Sequence, residues 1–227
     1  MSFCRFFSLA AFLCLPLCGV TPDDAGHDGA DLIERYLAAS AAERANVAAS
    51  EMEVEIEASL PRMGKKGTAT ARRTVSATGV IEYSDFHFDA DPTIKTQVIA
   101  RFIEAETEAS SKKLNIGISR ENYKFRYAGQ HGSGDWQLHL LEVTPKQKRP
   151  GLFRGWIWVE SRSNLAVREQ GEFVKSPSIF LRSVAFVRDF VIRNGARVPA
   201  SLETVSQTRI VGAAHLRMLF RNVRAAR

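Results

Sequence analysis

The sequence predicts an α+β domain built on a single curved antiparallel β-sheet, a half-open β-barrel with helices on its concave side. Three observations predict it. The segment EMEVEIEASL alternates apolar and acidic residues, as a strand does when one face is buried and the other wet. From Asn122 onward the chain reads as successive strands separated by turn signals, the strongest being Asn194-Gly195. Helical spacing occurs in two places, once ahead of the first strand and once among the strands.

The first helix is expected from about Asp31 to Ala49, where Leu32, Ile33, Tyr36 and Leu37 form a stripe and Asp28 or Asp31 could cap it. In the strand that follows, Met52, Val54, Ile56, Ala58 and Leu60 point one way and Glu51, Glu53, Glu55 and Glu57 the other. After a loop from Pro61 to Gly67, one long strand rich in threonine, valine and arginine is expected to reach Tyr83 or Phe88. The second helix has Asp91 as N-cap, Pro92 at its first position and Val98, Ile99, Phe102 and Ile103 as its stripe. Tyr123, Phe125 and Tyr127 share a strand face, and Ser161 to Asn164 turns the tryptophan-bearing hairpin. The last strand sets Leu216, Met218 and Phe220 against His215, Arg217 and Arg221.

The amino-terminal segment, MSFCRFFSLAAFLCLPLCGV, has Arg5 and then an apolar run of about a dozen residues, short of the roughly twenty that span a bilayer. It reads as a signal peptide over residues 1–19, cleaved after Gly19, which implies export. A polar spacer over 20–30 then precedes a domain over 31–227. All three cysteines, Cys4, Cys14 and Cys18, lie in the signal, so the mature chain would have no disulfide, reactive thiol or cysteine metal site. A formal charge of +6 permits attraction to nucleic acid or anionic lipid headgroups but selects neither. The arginines are spread along strands and read as solvated faces.

Reactive constellations are scarce. Asp85, His87 and Asp89 in DFHFDAD could meet a metal, but an acidic, solvated strand end is the simpler reading. His131, His139 and His215 have no nearby carboxylate or serine in a catalytic arrangement, and GQHGSGD lacks the lysine and strand-to-helix setting of a phosphate loop. Ser133 is not in a G-x-S-x-G elbow. No catalysis, cofactor or metal is expected, and no nucleic acid.

The segments WQLHLLEVTPKQKRPGLFRGWIWVE, LAVREQGEFVKSPSIFLRSVAFVRDF and GARVPASLETVSQTR resemble the outer-membrane lipoprotein-sorting family of LolA-like periplasmic carriers, with LolB-like and RseB/MucB-like relatives. The resemblance runs from about Leu32 to Val223. It implies a monomeric carrier whose helices lid an apolar cavity for acyl chains of lipoproteins or other lipids, with membrane-bound donor or acceptor proteins as partners. The alternative within the resemblance is an envelope regulatory or interaction domain that senses lipid or protein. An aromatic stripe at strand spacing is by itself ordinary core; with the resemblance, Trp156, Trp158, Phe186, Phe190, Met218 and Phe220 become the expected cavity lining, and Phe102 and Ile103 the lid contacts. The carriers' buried arginine between sheet and lid has four candidates here: Arg72, Arg73, Arg101 and Arg126. Neither Leu13 before Cys14 nor Leu17 before Cys18 is the small residue a lipidation signal requires, which argues against an anchored acceptor.

Overall fold

The computed structural model describes residues 22–45, 49–112, 115–132, 137–176 and 181–225. The signal segment and its cysteines lie outside the described residues, as do Ser133 and Trp136. Helix α1 (Pro22–Ala45) precedes strands β1 (Ser50–Leu60), β2 (Lys65–Val75) and β3 (Ile81–Ala90). A π-helical turn (Ile94–Ile99) then runs into α2 (Ala100–Ser111). Seven further strands follow: β4 (Tyr123–His131), β5 (Leu138–Pro145), β6 (Phe153–Glu160), β7 (Ala166–Phe173), β8 (Leu181–Arg193), β9 (Ala196–Thr208) and β10 (Ala213–Ala225).

All ten strands form one open sheet in the order β3-β2-β1-β10-β9-β8-β7-β6-β5-β4. The chain meanders from β4 to β10, and β10 then pairs antiparallel with β1. The register aligns the inner sides of these two strands, with Val54 opposite Phe220, Ile56 opposite Met218 and Ala58 opposite Leu216. On the outer side the β1 glutamates meet arginines: Glu55 with Arg221, and Glu51 with both Arg224 and Arg72. Exposed pairs of this kind stabilise little individually. They do fix which side of the strand faces water.

The core lies between the inner face and the helices. Leu32, Ile33 and Tyr36 of α1 are buried there, and a Cβ on Gly29 would come within 2.8 Å of the Tyr127 side chain, so α1 lies close against β4. Ile94, Val98 and Ile99 bury the π turn against the β1 side of the sheet. The Asp91 cap forms as expected, its Oδ1 accepting from the Thr93 N–H at 2.8 Å. That bond holds the Asp91 carboxyl below its ordinary range.

Two expectations about element boundaries need correction. The first helix begins at Pro22 and ends at Ala45, so residues 22–30 of the segment read as a spacer are helical; a polar, acidic opening is what the positive end of a helix dipole favours. The single long strand after Gly67 is a hairpin, β2 and β3 joined through Ser76 to Val80. Gly79, at φ +82, donates its N–H to the Ser76 carbonyl, and Ser76 Oγ accepts from the Val80 N–H, so SATGV is a turn hidden among β-forming residues.

Candidate functional site

Strand alternation decides which predicted residues come together. Phe186 lies opposite Thr204 and Gly171, Met218 opposite Leu202 and Ile56, and Phe220 opposite Val54, all on the inner face. Phe190, four residues along β8 from Phe186 and opposite Pro199, shares it. Met218 is fully buried, Phe186 nearly so, and Phe190 and Phe220 are half-buried. Phe186 makes an edge contact with Phe153 at 4.9 Å and lies 5.1 Å from Phe173. Phe102 and Ile103 of α2 pack partly buried against the same core.

Trp156 and Trp158 do not join them. In WIWV the fully buried Ile157 and Val159 take the inner face, which sends both tryptophans outward. Trp158 sits beside Leu140 and Arg168, and Trp156 lines an outer depression of about 510 Å³ with Gln170, Val187 and Glu203. The compact aliphatics suit the close-packed side, and the rings with their indole N–H suit a half-wet one.

Each inner phenylalanine of the predicted set carries a guanidinium. Arg73 lies 5.6 Å from the Phe220 centroid, Arg188 4.7 Å from Phe186 and Arg197 4.9 Å from Phe190. Arg73, 8% exposed on β2, donates to Glu106 Oε1 of α2 at 3.0 Å. The other Glu106 oxygen accepts from the Tyr83 hydroxyl. Burial works against the charge on Arg73, and Glu106 and Tyr83 together more than offset it, so its pKa stays above the ordinary arginine value. Burial, followed by the same carboxylate, drives the Tyr83 pKa upward and keeps it a neutral donor.

A second network ties down α1. Arg197 Nε donates to Glu43 Oε2 at 2.7 Å and its backbone N–H to Glu43 Oε1 at 2.8 Å, while Nη1 reaches Glu169 at 3.0 Å. Glu169 is 5% exposed and also faces Arg188 at 3.6 Å. Both helices are therefore held to the sheet by arginine–glutamate bridges at the border of the apolar strip. The α1 bridge reaches β9 through Arg197 and the α2 bridge reaches β2 through Arg73, with β1 and β10 between those two strands in the sheet.

Of the four candidate arginines, Arg73 makes the tie between sheet and helix. Arg72 faces outward to Glu51 and Asp85, Arg101 pairs with Glu104 on exposed helix surface, and Arg126 pairs with Glu142. Sequence reasoning missed Glu43, Glu106, Glu169, Arg188 and Arg197. One signal was available for the sheet side, since Arg73 is in phase with Ala69 and Ala71. The DFHFDAD face is interrupted by a bulge at Asp85, at φ +56, where Arg72 Nε binds its carboxylate at 2.7 Å. Among the described residues no three histidine, cysteine or acidic side chains gather as metal ligands.

No family model and no curated protein matches the chain. Solved structures do. A DUF1329 family protein from Desulfovibrio piger is 12% identical over 88% of this chain and 92% of its own, with a TM-score of 0.44. A LolA superfamily protein from Nitrosomonas europaea is 8% identical over 86% and 93%, with a TM-score of 0.43. MucB in the Pseudomonas aeruginosa MucA/MucB complex is 11% identical over 88% and 99%, with a TM-score of 0.26. These hits include the LolA-like and MucB-like groups that the sequence resembles. Similarity at this level leaves function to the chain's own side chains.

Proposed function

We propose that the protein is a periplasmic, non-catalytic carrier that binds acyl chains of lipoproteins or other lipids on the inner face of its sheet. One observation carries the reading: Phe186, Phe190, Met218 and Phe220 form an apolar strip on the inner face of β8 and β10, and Arg73, Arg188 and Arg197 stand over its rings. A molecule with a hydrocarbon tail and an anionic head suits that pattern, since the tail leaves water while the head meets guanidinium donors. A chain of about fourteen carbons gains roughly 10 kcal/mol at about 0.8 kcal/mol per CH₂. Association costs an estimated 4 to 15 kcal/mol, so the tail alone leaves at most about 6 kcal/mol, binding of tens of micromolar, and the contacts of the head with the guanidinium groups must supply any tighter affinity. The helices act as covers because charged bridges to the sheet can exchange partners with an incoming anionic head more readily than a continuous apolar contact can part.

The test is mass spectrometry of protein taken from its native envelope and extracted under denaturing conditions. The reading expects a near-stoichiometric acyl species that disappears when Phe186 and Phe220 are replaced by serine in a variant that remains folded. Parent protein that repeatedly yields no acyl species, and does not take up a fatty-acid probe after delipidation, contradicts it.

A further inference from the structure

The two ends of the sheet differ in charge and in exposed apolar surface. The β1–β2 turn, the β5–β6 and β7–β8 connections and the β9–β10 turn all open at one end, as the antiparallel order requires. That end carries Arg62, Lys66, Lys146, Lys148, Lys175 and Arg209. Lys65 is also there, paired with Asp91 at 3.2 Å. Among the described residues, the turns SATGV, SRSN and Asn194-Gly195 at the opposite end carry Arg162, with exposed Arg193 and Val191 beside the last of them, and the β4–β5 connection there lies partly outside the described residues.

Two of the most exposed large apolar side chains among the described residues sit at the basic end. Ile210, at the tip of the β9–β10 turn, is 77% exposed, and Met63, in the 3₁₀ turn Pro61–Met63, is 43% exposed. The two turns adjoin, since a Cβ on Gly212 would lie 3.3 Å from Arg62 Cδ. Around Ile210 the backbone is built rather than loose: Thr208 Oγ1 accepts from the Val211 N–H at 3.1 Å, its own hydroxyl donates to the Gly212 carbonyl at 2.7 Å, and Val211 packs on the core. The fold therefore holds Ile210 out into solvent, at a cost a polar residue would avoid.

We propose that this end is a docking surface for an anionic phospholipid bilayer, with Ile210 and Met63 entering the interface and the surrounding lysines and arginines meeting headgroup phosphates. Charge complementarity selects this occupant, because basic residues beside an exposed apolar tip match the negative surface potential and shallow apolar boundary of such a membrane. Each lysine or arginine near that surface strengthens partitioning about five-fold. Docking does not depend on the acyl-binding reading and is measured without acyl cargo.

The test is co-sedimentation with vesicles of phosphatidylethanolamine containing about one quarter phosphatidylglycerol, beside vesicles of phosphatidylcholine alone. Parent and variants share the same amino terminus, so binding by residues 1–21 is common to all. The proposal expects parent protein to sediment with the anionic vesicles and not with the neutral ones. It also expects Met63→Ser/Ile210→Ser to weaken partitioning at least tenfold, and Arg62→Gln/Lys66→Gln about twenty-five-fold, with circular dichroism and melting unchanged because all four residues are exposed. Equal sedimentation of parent and variants overturns it. So does binding that ignores lipid charge, or parent protein that stays in solution and instead needs Arg62 and Lys66 to associate with an acidic protein.

Discussion

Arg73 of β2 and Glu106 of α2 meet at 3.0 Å where the sheet passes under the helix, and the remaining Arg73 Nε is buried without a hydrogen-bond partner among the described residues. A buried guanidinium short of one partner depends heavily on the carboxylate it has. Glu106→Gln removes the compensating charge and should destabilise the protein by about 2 kcal/mol, less than a fully buried pair because Glu106 is partly exposed. Arg73→Met/Glu106→Leu, which removes both charges, should lose less than Glu106→Gln alone. Urea unfolding midpoints of the two variants check the order.

Much of this arrangement was legible in the sequence. Met52 to Leu60 declared its inner face through Glu53, Glu55 and Glu57, and Leu216 to Phe220 through the flanking His215, Arg217 and Arg221, and the pairing of β1 with β10 aligns those faces. WIWV carried no such marker. Four consecutive apolar residues leave the phase open, and only the register with β5 and β7 turns Ile157 inward and Trp156 outward. The β2–β3 turn was hidden for a related reason, since Thr78 and Val80 are strand formers and Gly79 alone marked the reversal. The bridge that holds α1 was beyond reach, because Glu43 and Arg197 lie 154 residues apart in the chain and meet only through tertiary packing.

Gly155 and Gly171 face each other across β6 and β7, and a Cβ on Gly155 would lie 2.0 Å from the Gln170 carbonyl oxygen. The obstacle is backbone, which cannot rotate away. Gly155→Ala should cost about 3 kcal/mol by forcing the strands apart. Gly64→Ala, at φ +63 with no atom within 4 Å of the new methyl, should cost only about 1 kcal/mol of backbone strain. Thermal melting of the two alanine variants separates crowding from strain.

His139 stands 3.3 Å from the Tyr127 hydroxyl, and burial, aided by Arg35, holds its pKa below the ordinary 6.5. The unfolded chain therefore takes up a proton first as pH falls. Stability on this account is unaffected above about pH 6.5, declines as pH drops from there toward the folded-state pKa, and levels off below it. His139→Gln should lose less melting temperature than the parent between about pH 7 and pH 5. Parallel losses in both proteins would assign the acid sensitivity elsewhere.

The central claim is that acyl chains bind the inner face at Phe220 and not the outer face at Trp156. Titration of a fluorescent fatty acid into Phe220→Glu and Trp156→Glu, each with a melting curve, tests it most directly. Half-buried beneath the Arg73 guanidinium, Phe220 can be replaced by a carboxylate that finds a cation and some water, so Phe220→Glu should remain folded. The same carboxylate would stand among the acyl contacts, where desolvation is expensive, and should weaken probe binding at least about tenfold. Trp156→Glu should bind within about twofold of the parent. A folded Phe220→Glu that binds like the parent, or a loss of binding confined to Trp156→Glu, would contradict the account, and an unfolded Phe220→Glu would make Phe220 core rather than binding surface.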